Sequence, residues 1–414
     1  VTEAPAVARR NQLVTVVMVF TVFTGFAFVL PFLPLYVREL GVSEPEAAAL
    51  WAGVLIGVSP LLAGLLAPFW GRLADRYGHK GIAVKVLVAY VTLLALCAAV
   101  TRVEQLLVLR VGLGIFGGLG PLGLAMAAAQ APREDTGRAV GLIQAAQILS
   151  AAIGPFTGGL LADAIGIRRT FLVAAFVCVL TLLLVLTLYR ETARPAEQRR
   201  AAAAVGFRTV VALPGLLALL AVLFGVNFIG RSFTPILPLH LHDLGVPTPS
   251  LASATGGLIS AYSIAAAVSA TLLGRASRSR SPRRLLLFTL VGGAPIVAAM
   301  ALVPSYQAFL GLAVLGGLVS GGTLTLCYTV GGLMVPDGVR TTAFGIFSGA
   351  ALFGGALSPS VAGLVAHASL RGIYWVDAAL YLVLAAVILR GHALRSEHPA
   401  ADAEAAEPRA AGLR

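Results

Sequence analysis

Apolar residues come in long unbroken runs along this chain, with short polar segments between them. Twelve such runs stand out, near 13–36, 47–70, 82–101, 105–128, 139–162, 170–189, 214–239, 251–273, 284–303, 307–333, 342–366 and 373–389. Crossing a bilayer takes ~20 mostly apolar residues, and a helix satisfies its own backbone in hydrocarbon. The pattern therefore predicts an all-α polytopic membrane protein with 12 transmembrane helices. The first run is too long for a signal-peptide core, and no small-residue cleavage site follows it, so it is expected to be a retained span.

The runs repeat. PFLPLYVRELGV at 31–42 returns as PILPLHLHDLGV at 235–246. The same offset relates Gly141, Pro155 and Gly159 to Gly345, Pro359 and Gly363. It also relates Pro132 to Pro336, and Gly117–Gly118 to Gly321–Gly322. One register shared by separate landmarks predicts two pseudo-symmetric bundles of six spans, at 13–189 and 213–390. An even number of spans per copy leaves both copies the same way up, with a substrate site expected near the midplane between them. Residues 1–12 read as a cytoplasmic N-terminus and 190–212 as a polar linker. Residues 391–414 read as a disordered cytoplasmic tail.

Composition strengthens this picture. The 414 residues are 58% hydrophobic and only 12% charged, with a mean hydropathy of +0.91. Too little polar surface remains to cover a soluble protein of this size. The net charge of +12 raises the question of nucleic acid, and the distribution answers it. Most Lys and Arg fall in the termini and the even-numbered loops, so both termini are expected on the cytoplasmic side of the inner membrane. The basic runs at 190–208 and 275–284 then read as topology signals that touch lipid headgroups. Cys97, Cys178 and Cys327 lie inside apolar runs and form no disulfide or metal spacing. No Walker loop and no HExxH string occurs, so neither an enzyme nor a metal or other cofactor is expected.

Between the second and third runs lies GRLADRYGHK, residues 71–80. It reads as a short loop at the water boundary. Gly71 permits close approach, Gly78 a tight turn, and Asp75 suits a helix N-terminus. Through Gly71, Leu73, Ala74, Asp75, Arg76, Gly78 and Lys80 the string resembles the loop signature of the major facilitator superfamily. His79 takes a position where that signature has a base of fixed charge. The resemblance implies a cytoplasmic gate loop that latches one half against the other and favours the outward-open state. Its counterpart GRASRSRSPR, 274–283, places Arg278 where Asp75 sits, so one latch is expected.

Two further stretches carry the resemblance. Arg110 and Gly114 match the family's fourth-span Arg motif, although Leu113 stands where Gln is usual. This implies a role for Arg110 in proton coupling, and a charge inside a span is costly enough to suggest function; snorkelling is the alternative. In the fifth span Gly154, Pro155, Gly158 and Gly159 match the antiporter signature, which implies a tight seam between the halves. The eleventh span keeps Pro359 and Gly363 but has Ser358. The branch most resembled is the 12-helix drug:proton antiporters. The implied function is efflux of small amphipathic compounds in exchange for protons by alternating access. A sugar or metabolite exporter, an uncoupled facilitator and a non-transporting sensor stay open as alternatives.

Candidate cavity residues are Phe23, Gln144, Gln147, Asn227, Arg231, Tyr262 and Tyr328. Each either lines the cavity or packs between helices. No Asp or Glu lies mid-span. The coupling candidates are therefore Arg110, Asp163 at one end of the fifth span, and Asp377 early in the twelfth. Expected partners are a small-molecule substrate, protons and membrane lipids, with the chain acting as a monomer.

Overall fold

A computed structural model describes residues 3–130, 136–191, 215–335 and 340–390. Most of the linker, the tail, Pro132 and Pro336 lie outside the described residues. So do the side chains of Gly71, Arg72, Asp75 and Arg76.

Ten helices or continuous helix pairs among the described residues are long and apolar enough to cross a membrane. An eleventh span is the pair Leu216–Ser232 and Leu237–Asp243, bent by 47°. The remaining one, fourth in order, is Val103–Ile115 followed by Leu119–Gln130, each too short to cross alone. Twelve spans result.

The interruptions repeat as the sequence does. Pro31 and Pro34 break the first span at a short 3₁₀ turn before Leu33–Glu39. The matching prolines break the seventh, because proline has no N–H to give the preceding turn. Gly117–Gly118 and Gly321–Gly322 break the fourth and tenth spans. Such breaks free carbonyls that must find donors. The indole of Trp70 supplies one, donating to Ile115 O at 2.6 Å.

One expectation is corrected here. Residues 71–77 form no loop: the helix Pro45–Tyr77 runs through them. The turn is Gly78 alone, at φ +87°, after which His79–Ala99 begins. Leu73, Ala74 and their neighbours are good helix formers, and past the bilayer edge nothing stops a helix until a residue adopts positive φ.

Each half has its own apolar core. One gathers residues from Val14 to Tyr189, the other from Leu216 to Ile388. Ala252 crosses into the first core and Ala49 into the second. All three cysteines are buried in these cores. The halves meet where the second span packs on the eleventh, the fifth on the eighth, and Leu33–Glu39 near Leu237–Asp243.

Candidate functional site

The seam between the halves is built from backbone. A Cβ on Gly256 of the eighth span would strike the carbonyl oxygen of Pro155, and one on Gly159 would strike that of Ala252. The second copy repeats the fit. A Cβ on Gly53 would strike the Pro359 carbonyl oxygen, and one on Gly363 would lie 2.8 Å from Ala49 O. Only glycine allows such approach, so the glycines here set the distance between the halves.

The four residues of the fifth-span motif divide into two stripes. Gly154 and Gly158 face the first span, against Ala27 and Phe28. Pro155 and Gly159 face the eighth span across the seam. One residue of helix turns the face by about 100°, so neighbours in sequence serve different partners.

Asp163 continues the second stripe by one turn. Its carboxylate accepts from the backbone N–H of Ala252 at 3.1 Å and of Ser253 at 2.8 Å. These are free donors in the first turn of Leu251–Ala276, whose N-cap Ser250 makes no side-chain cap. An anion there also meets the positive end of the helix dipole. A carboxylate of one half thus caps a helix of the other.

All of these contacts lie at the end away from the chain termini. On the same helices, toward the termini, a Cβ on Gly64 would meet the side chain of Leu352. Gly141 shares a face with Gly159 about five turns away, yet a Cβ on Gly141 would meet no other part of the described chain within 4 Å, and the same holds for Gly345. Among the described residues, the glycine-against-backbone contacts between the halves thus gather at the far end.

Two six-span bundles, each with its own core, match a known group of proteins. The profile of the Major Facilitator Superfamily matches residues 15–303 and 249–413. The chain belongs to the Major Facilitator Superfamily. It is 31% identical to the multidrug resistance protein MdtG of Dickeya zeae, over 79% of this chain and 80% of that one. It is 33% identical to MdtG of Proteus mirabilis, over 74% and 76%. Among solved structures, a bacterial homologue of the human lysosomal transporter Spinster superposes with a TM-score of 0.74 at 18% identity, covering 93% of this chain and 96% of that one. A D-xylose-proton symporter does so at 0.72 and 15%, covering 92% and 97%. This is therefore a multi-pass membrane transporter of that superfamily, a secondary transporter.

Within this fold the 71–80 segment is tied into its own half. The Glu191 carboxylate accepts from the backbone N–H of His79 at 3.0 Å and of Lys80 at 2.7 Å. It caps the third span, with the His79 ring 3.8 Å away. Lys80 Nζ donates to Leu186 O and Tyr189 O, at 2.9 and 2.7 Å, at the end of the sixth span. The Asp75 side chain lies outside the described residues. Glu191 escaped the sequence reading because it sits beyond the motif and far along the chain. Glu191→Ala is expected to cost about 1 kcal/mol, the usual worth of a cap, read as a lower Tm in detergent.

Arg110 is 1% exposed. Its Nε donates to Leu55 O at 2.8 Å, and its own carbonyl accepts from Ser59 Oγ at 2.6 Å. The arginine ties the fourth span to the second within the first half, and it does not open onto the space between the halves. Nη1 is buried with no partner among the described residues.

The cavity candidates fall in three places. Phe23 and Gln147 meet at Gly120, with Gln144 exposed a turn away. Asn227 and the exposed Arg231 share the face of the seventh span that passes Gly355 of the eleventh. Tyr328 stacks on Phe344, with Ser348 Oγ 3.4 Å from its hydroxyl. Tyr262 lines a small cavity of about 90 Å³ inside the second half, with Tyr381 and Ser320. Asp377 is wholly buried beside that cavity's wall.

Proposed function

We propose that this transporter exports small amphipathic compounds in exchange for protons, from the inner membrane with both termini cytoplasmic. The observation that carries the mechanism is the one-sided seal. Glycine-against-carbonyl contacts join the halves at the far end, and among the described residues no such contact joins the same helices at Gly141 or Gly345. With the basic residues placed inside, this is an inward-open arrangement, and alternating access moves the seal from one end to the other. The names of the 31–33% identical relatives support drug cargo. The driving force suffices: about 2.3 kcal/mol per charge at 100 mV, plus about 1.4 kcal/mol per pH unit. The protein acts as a monomer, with the basic run at 275–284 against lipid headgroups.

We assign Asp163 to the outer seal rather than to proton carriage, because both its oxygens are engaged by backbone donors. Arg110 acts by holding the second and fourth spans at fixed register. Arg110→Lys keeps the charge but loses the Nε donor to Leu55. Hydrogen bonds from a charged group are worth about 1.5–3 kcal/mol. Export by Arg110→Lys should fall by roughly 10-fold or more, with amounts in the membrane unchanged.

The test of the whole reading is flux in everted vesicles with an imposed inside-acid gradient. Ethidium is expected to accumulate and to leave when the gradient is collapsed. The exposed Arg231, beside Gly355 of the eleventh span, favours a second reading with anionic cargo. An anionic dye accumulating in place of ethidium would establish that reading and remove the first.

A further inference from the structure

The second half buries an acid. Asp377, on Gly372–Arg390, is 0% exposed. One of its oxygens, Oδ2, is hydrogen-bonded to Ser232 Oγ, and Oδ1 has no partner among the described residues. Ser232 Oγ also lies 2.9 Å from Ile229 O. A serine hydroxyl has one proton, and a carbonyl and a carboxylate are both acceptors only. That proton cannot serve both. The set closes if the carboxyl is protonated: it donates to Ser232 Oγ, and Ser232 donates to Ile229 O. A neutral acid also explains the bare Oδ1, since a buried ionised carboxylate needs paired charge or several donors.

The surroundings offer no such compensation. On its own span Asp377 has Tyr374 and Tyr381, and Arg371 precedes them. The Tyr374 hydroxyl is buried without a partner among the described residues, and Tyr381 bonds Ser320 of the tenth span. From the seventh span comes His240, 0% exposed, its ring packed on Phe309 and Tyr374 and both nitrogens unpartnered among the described residues. From the eighth span Tyr262 approaches Tyr381.

Ser232 is the last residue of Leu216–Ser232, where the seventh span bends by 47° into Leu237–Asp243. That second piece packs near Leu33–Glu39 of the other half. We propose that Asp377 holds the proton exchanged for cargo, and that its bond to Ser232 couples proton loss to the bend in the seventh span. On ionisation the O–H bond of the carboxyl breaks and the proton passes to a water molecule admitted to the small cavity lined by Tyr262, Ser320 and Tyr381. The Ser232 hydroxyl then turns from Ile229 O to the carboxylate. The last turn before the bend loses a bond, and the segment beyond it, which reaches the other half, is released.

This rests on the proton-coupled reading above, so its test begins without cargo. Infrared spectra of the reconstituted protein, with no added compound, should show the carbonyl stretch of a protonated carboxylic acid. Asp377→Asn should remove that band, and Ser232→Ala should move it to higher frequency. In everted vesicles, Asp377→Asn should lose gradient-driven ethidium accumulation at normal membrane levels. A band that survives in Asp377→Asn overturns the proposal, as does wild-type accumulation by that variant. If the wild-type protein moves no ethidium but the band behaves as stated, the cargo reading fails and the proton site stands.

Discussion

Gly256→Val is expected to reach the membrane in normal amounts and to lose export. A Cβ there meets the carbonyl oxygen of Pro155 and comes within 3.1 Å of the Phe156 Cα. Both are backbone atoms of a helix, so neither can swing aside. Overpacking of this kind costs about 1–3 kcal/mol and sometimes more. The clash exists only while the far end is closed, because opening that end carries the fifth and eighth spans apart. The cost is therefore a population shift of roughly 5- to 150-fold toward the outward-open state. Spin labels at Ala164→Cys and Thr248→Cys would read it as a longer distance. Gly257 supplies the control, since a Cβ there would meet only Phe156 ring carbons, at 3.7 and 3.9 Å. Gly257→Ala should transport normally. An unchanged distance and intact export in Gly256→Val would remove the seam from the mechanism.

Asp163→Ala should act in the same direction by a different route. It deletes two charge-assisted bonds to the eighth span, and Ser250 provides no cap in their place. Such bonds are worth about 1.5–3 kcal/mol each when buried. Asp163 is only partly buried, and screening by water reduces that figure. A net cost of about 1–3 kcal/mol follows, or roughly a 5- to 150-fold shift between states. The same label pair reports it. Asp163→Asn should fall between wild type and Asp163→Ala, because an amide oxygen still accepts one bond but brings no charge to the helix dipole. The two sites adjoin, so the effects of Gly256→Val and Asp163→Ala should not add. Equal populations in wild type and Asp163→Ala would show the contact to be incidental.

Much of this site was legible before any coordinates. The Gly-Pro-x-x-Gly-Gly stretch reads as a seam because small residues and a proline in a membrane helix have few other uses. Its division into two faces was not legible, since nothing local says which stripe meets which helix. Asp163 reads from sequence as one more acid at a span end. Its partners, Ala252 and Ser253, are backbone donors 89 and 90 residues further on, and a backbone donor leaves no mark in a sequence. Asp377 was visible as an acid in an apolar run, but its tie to Ser232 spans 145 residues. The 71–80 segment misled in the opposite way. Its charges suggested a loop, while helix propensity carried the second span on to Gly78.

The number of spans, the twofold repeat and the expectation of cytoplasmic termini were read from sequence alone. Each follows from a local cost: apolar residues leave water, backbone groups find partners within a helix, and basic residues stay on one side. Which end is sealed, which stripe faces the other half, and which buried acid sits at a hinge were decided only in the tertiary structure. These depend on contacts between distant segments, and an alternating-access protein has two such arrangements separated by only a few kcal/mol. The sequence encodes both arrangements at once, and the packing of Gly159, Gly256 and Asp163 selects the one described here.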